Sequence, residues 1–166
     1  MVNKMTGEND IETSILYYKI HQSNVKPNDY INWALRMLEN DYSSFSLNIL
    51  SSLREPLNIF EVEGYFRNAV SELSIKEPTY TECAEFYIHQ LSKKILENEN
   101  NAIDIAYQIY EIVQDLDYPE DLEEWYNISE FLDDFKYGDN HSKLSKVALI
   151  RTIVNEAKNH LRRNSK

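Results

Sequence analysis

Glycine, proline and cysteine are scarce in this 166-residue chain, with three, four and one respectively. That leaves little material for tight hairpins, which disfavours a many-stranded sheet and favours helices. The single Cys83 excludes an internal disulfide and gives no sign of an oxidising compartment. No run approaches the ~18 apolar residues that a membrane-spanning helix needs. The first residues, MVNKMTGENDIETS, lack the apolar centre of a secretory signal. The expected location is the cytoplasm, with no membrane partner. Also missing are H-E-x-x-H, a P-loop, G-x-G-x-x-G, G-x-S-x-G and an Asp-x-Asp-x-Asp-Gly calcium loop. No catalytic residue, cofactor or metal site is expected, and the chain is not read as an enzyme.

The most informative absence is one of charge. From Glu97 through Asp134 there are thirteen Asp and Glu and no Lys or Arg. The formal net charge is −11, and outside that segment fifteen acids face seventeen bases, so the whole excess lies in one stretch. Such a balance argues against nucleic acid or an anionic membrane as a partner. Lys136 to Lys166 leans the other way, with eight bases and two acids. Its final run, Leu161-Arg162-Arg163-Asn164-Ser165-Lys166, follows the preference of cations for helix C-termini.

What is present is helical periodicity from end to end, within a length and apolar fraction suited to one globular domain. Residues 1–9 are expected as a flexible start and 164–166 as a tail. The first helix is expected from about Asp10 to His21, with Ile11, Ile15, Leu16 and Tyr18 on or near one side. Pro27 and Asn28 open a second, where Ile31, Ala34, Leu35 and Leu38 recur at helical spacing. Ser43 or Ser44 caps a third with Leu47, Ile49, Leu50 and Leu53, before a break at Arg54-Glu55-Pro56. Asn58 caps a fourth with Val62, Tyr65, Phe66, Ala69, Val70 and Leu73, in which Gly64 suggests a close helix crossing.

After Pro78 a long helix runs from about Thr81 to Asn98, burying Ala84, Phe86 or Tyr87, Ile88, Leu91 and Ile95. Asn100 or Asn101 caps the sixth, which continues to about Asp117. Pro119 opens the seventh, and Gly138 closes it as a left-handed cap. Ser142 starts the last, carrying Leu144, Val147, Ala148, Ile150, Val154, Ala157 and Leu161. The fold class is all-α, with about seven to eight helices as antiparallel hairpins, in a compact bundle or a short α–α stack.

At about 100° per residue, Asp104, Gln108, Glu111 and Asp115 line up on the sixth helix opposite Ile105, Ile109, Ile112, Val113 and Leu116. Tyr107 flanks that stripe, and Tyr110 lies at its more buried boundary. On the seventh helix Glu120, Glu123, Glu124, Glu130, Asp133 and Asp134 cluster opposite Leu122, Trp125, Ile128, Phe131, Leu132 and Phe135, with Tyr126 at the border. Acids in a first turn favour a helix through its dipole, which accounts for Glu120, Asp121, Glu123 and Glu124. The same dipole opposes Asp133 and Asp134, and no Lys stands at i+4 to lighten the face. Two explanations stay open: an ordinary solvated face, and a docking surface for a basic protein, through Asp104, Tyr107, Glu111, Asp115, Glu120, Glu123, Glu124, Tyr126, Glu130 and Asp134.

Other pairs carry less. Glu85 with His89 and Glu156 with His160 stand at i, i+4, not the Glu-x-x-His spacing of di-iron bundles, and read as surface ion pairs. Cys83 and His89 are about 240° apart on one helix, too far for a local nucleophile–base pair, so Cys83 reads as a small buried residue.

A small acidic helical protein without an active site resembles the immunity proteins paired with bacterial toxins. Leu116-Asp117-Tyr118-Pro119-Glu120-Asp121 is similar to the acidic Tyr-Tyr-Pro neighbourhood of colicin-type nuclease immunity proteins, with only one Tyr before the Pro. DYINWALRMLEND and PLNIFEVEGYF look like segments of bacterial helical proteins of the immunity type. The resemblance implies inhibition of a toxin domain by tight binding, with carboxylates standing in for a nuclease substrate's phosphates. Tyr107, Glu111, Asp115, Glu120, Glu124 and Tyr126 would be the contacts. A helical-repeat adaptor binding a peptide through an apolar groove is the alternative, and an enzyme with scattered residues the third. The sequence leaves the oligomeric state open.

Overall fold

Pro27 begins a helix, where its fixed φ fits and its missing N–H leaves nothing unsatisfied. Ser44 and Asn58 start two more by accepting hydrogen bonds from Leu47 N and Phe60 N. The computed structural model describes residues 7–138 and 144–164. It contains α1 (Gly7–His21), α2 (Pro27–Glu39), α3 (Phe45–Ser52), α4 (Ile59–Glu72), α5 (Tyr80–Glu97), α6 (Ala102–Asp115), α7 (Glu123–Tyr137) and α8 (Lys146–Arg163). Single 3-10 turns at Glu99–Asn101 and Glu120–Leu122 lead into α6 and α7. Among the described residues there is no strand, and the fold is all-α as expected. No described helix is long and apolar enough to cross a membrane.

Scarcity of glycine shows in how the helices end. Asn24 N donates to Lys19 O, Tyr42 N to Met37 O, Ile75 N to Val70 O and Tyr118 N to Val113 O. These are the long bonds of Schellman ends, which need a left-handed residue just before the donor. Ser23, Asp41, Ser74 and Asp117 supply it, with φ between 54 and 67°. Gly138, expected to be left-handed, is extended instead, with φ −98° and ψ −176°. It supplies room, because a Cβ there would stand 3.0 Å from the Asp134 carbonyl oxygen. Gly64 marks no close crossing, for nothing lies within 4 Å of where its Cβ would be.

Other differences are local. The first helix starts already at Gly7. Ser142, expected to start the last helix, lies outside the described residues, as do residues 1–6 of the expected flexible start and 165–166 of the tail. Within them, Ser145 caps α8 by accepting from Ala148 N. Leu35, Phe131 and Val147, placed on apolar faces by their spacing, are exposed.

The chain divides into two compact units, Met1–Phe86 and Tyr87–Lys166. In the first, α2 packs against α1, α3 and α4, and α3 against α4. Phe66 is the centre of an aromatic cluster, with the rings of Tyr30 and Trp33 at 5.0 Å and Tyr17 at 5.6 Å. Trp33 Nε1 donates to Thr13 Oγ1 at 3.0 Å, so its buried polar atom is satisfied. Burial, chiefly, pushes the Tyr17 and Tyr30 hydroxyls up to about 12. Cys83 is fully buried and its thiol is pushed up to about 11, again mainly by burial. In the second unit α6, α7 and α8 each pack against the other two. Ile109, Val113, Trp125, Leu132, Leu149, Ile153 and Ala157 are buried among them.

Candidate functional site

The acidic stripe of α6 keeps its sequence-based geometry. Asp104, Glu111 and Asp115 are exposed, opposite buried Ile105, Ile109, Ile112 and Val113. On the α7 side Glu120, Glu123, Glu124 and Glu130 are exposed as well, and Asp134 is half-buried. None of Asp104, Glu111, Asp115, Glu120, Glu123, Glu124 or Glu130 makes an ion pair with a described residue. The α7 charges fan out, however. Glu124 lies near enough to α8 to help raise the Glu156 pKa, and Asp133 near enough to α6 to help raise that of Tyr107.

The two tyrosines singled out from the sequence have different places. Tyr107 is half-buried, and its hydroxyl donates to the Leu132 carbonyl at 2.8 Å, tying α6 to α7. Burial above all pushes that hydroxyl up to about 12. Lys136 Nζ already stands 4.8 Å from the Tyr107 ring centre, so one aromatic face is occupied from within. Tyr126 remains 37% exposed and open to a partner.

Around Tyr126 the chain builds a cleft of about 710 Å³, lined by Tyr110, Val113, Tyr118, Pro119, Glu120, Glu123 and Tyr126. Tyr126 and Tyr118 stand nearly perpendicular, at 86° and 5.4 Å between ring centres, and Tyr110 lies 6.5 Å from Tyr126. Gln114 Nε2 donates to the hydroxyls of both Tyr110, at 3.0 Å, and Tyr118, at 3.3 Å, which fixes the two rings along one edge. Tyr118 is 48% exposed and takes a positive φ of 55°, directly after left-handed Asp117. Two such residues in succession, one of them bulky, are rare and costly. Here the kink carries the Tyr118 ring over to Tyr126. Chemically, the cleft offers aromatic faces and two carboxylates, a combination suited to a cation.

A second cluster is sealed. Glu156 and His160, expected as a surface pair, are both buried, and Glu156 Oε1 accepts from Arg163 Nη2 at 2.6 Å. The His160 ring lies 6.4 Å from Trp125 and 6.5 Å from His89. His160 Nδ1 and Trp125 Nε1 are buried without a hydrogen-bond partner. Burial, then Arg163 and His89, pulls the imidazole down to about 4, against a small opposing effect of Asp121. Among the described residues no group of three His, Cys, Asp or Glu is placed to hold a metal ion.

Sequence spacing found Tyr126, Glu120 and Glu123 but missed Tyr118 and Gln114 as site residues, and placed Tyr110 only at a boundary. Pro119 followed by acids was the one available signal that this turn mattered. Compared with known proteins, the chain has no significant match to any family model, curated protein or solved structure.

Proposed function

We propose that the acidic side of the second unit is a docking surface that masks a basic region on a partner protein, with no chemistry of its own. One observation carries this reading: seven carboxylates on α6, α7 and the turn before it are exposed and have no cationic partner among the described residues. Like charges gathered this way repel one another and lower stability, whereas a basic partner would relieve them. Inhibition of a basic toxin domain such as a nuclease, in the manner of immunity proteins, is the biological form we favour. Steering by charge would chiefly raise the association rate.

The test is reversal of Glu111, Asp115, Glu120 and Glu124 to Lys, assayed for binding to a basic nuclease-toxin domain, the product of a neighbouring gene being the first candidate to try. The expected result is lost binding with the fold intact or more stable; undiminished binding would exclude this face as the interface. A second reading, an adaptor that grips a peptide by apolar contact, is favoured by Phe45 and Phe60, exposed at 77% and 78% on the first unit. Ionic strength separates the two. Association through the acidic side should slow markedly from low to high salt, and apolar capture should hardly change.

A further inference from the structure

We propose that the cleft formed by Tyr110, Tyr118 and Tyr126, with Glu120 and Glu123 at its rim, receives an arginine side chain presented by the basic partner. The inference rests on the docking reading above and gives that surface its specific anchor. Three rings set at different angles, 44° and 86° from Tyr126, present π faces that attract a cation approaching within about 6 Å. Glu120 opens the 3-10 turn that leads into α7, Glu123 is the first residue of that helix, and neither forms an ion pair with a described residue. Their charges supply the second half of what a guanidinium requires. Val113 at the base is fully buried, so the floor is apolar.

The choice of arginine over lysine follows from shape and hydration. A guanidinium is flat, stacks on aromatic rings, sheds water more readily than an ammonium and pairs with a carboxylate through two parallel N–H bonds. The cleft is also open and far larger than one small ion, which suits a side chain arriving on a protein segment. Gln114 is a positioning residue here, holding two phenol hydroxyls with one amide.

Fluorescently labelled hexa-arginine and hexa-lysine, titrated at low ionic strength, test the proposal. Wild-type protein should bind hexa-arginine more tightly than hexa-lysine. The double variant Tyr118→Leu/Tyr126→Leu should weaken hexa-arginine about tenfold, while Tyr126→Phe, which keeps the ring and leaves both Gln114 bonds in place, should weaken it far less. If the leucine pair does not fold, the wild-type protein still decides. Its Tyr110, Tyr118 and Tyr126 ring signals in aromatic NMR spectra should move most on adding the peptide, and movement centred on rings outside the cleft, such as Tyr107, would overturn the inference.

Unchanged binding by the leucine pair, with binding lost by the four-lysine variant, would refute the cleft while leaving the docking reading intact. Affinity unchanged in both, or no binding by wild type, would refute both. Displacement of the peptide by tetramethylammonium chloride beyond that by sodium chloride at equal ionic strength would mark a small-ammonium site instead, and overturn the arginine assignment.

Discussion

His160 is the residue whose surroundings set the clearest pH dependence. Its imidazole is 4% exposed and held near pH 4, whereas in the unfolded chain it returns to its ordinary value of 6.5. Between those values the unfolded state binds the extra proton, so stability falls as pH drops from about 6.5 towards 4. The slope from one such group is at most ~1.4 kcal/mol per pH unit. His89, also lowered by burial, adds in the same direction. Glu156, raised chiefly by burial, works against it near the carboxylate range, because its folded form takes up a proton early. Urea unfolding at pH 7 and pH 5 should therefore show a lower midpoint at pH 5, and His160→Leu should remove most of the difference. Ser74 yields a second outcome at this scale. It is exposed in the left-handed region without a side-chain hydrogen bond, so Ser74→Gly should stabilise by roughly 0.5–1 kcal/mol in thermal melts.

At the scale of helices, three starts were legible and the left-handed ends were not. Pro27, Ser44 and Asn58 announce themselves because an N-terminus needs a specific group to satisfy or dispense with its N–H donors. The left-handed ends at Ser23, Asp41, Ser74 and Asp117 carry no such mark, since serine and aspartate also serve in starts and turns. Gly138 and Gly64 misled for the complementary reason, that glycine is used for space or merely tolerated as often as for conformation. Open surroundings at Gly64 make Gly64→Ala a stabilising change of about 0.5–1 kcal/mol, measurable by denaturant unfolding. Exposed Asp133, in the last turns of α7, opposes the helix dipole. Asp133→Asn should raise stability by roughly 0.3–1 kcal/mol, with the gain shrinking in high salt.

For the whole molecule, a net charge of −11 means that the folded state works against its own repulsion. Added sodium chloride should raise the melting temperature, and the four-lysine variant should show less of that dependence. The charged stripe was readable because exposed residues on a helix obey its period. The tyrosine cleft was not, because Tyr110, Tyr118 and Tyr126 meet only through the kink at Asp117 and Tyr118, which no periodicity encodes. The two tryptophans have a practical consequence. Trp33 is buried in the first unit and Trp125 in the second, so the chain has one tryptophan for each. Trp33→Phe and Trp125→Phe, each leaving a single tryptophan to excite selectively, let an ordinary fluorimeter ask whether the two units unfold at one temperature or two.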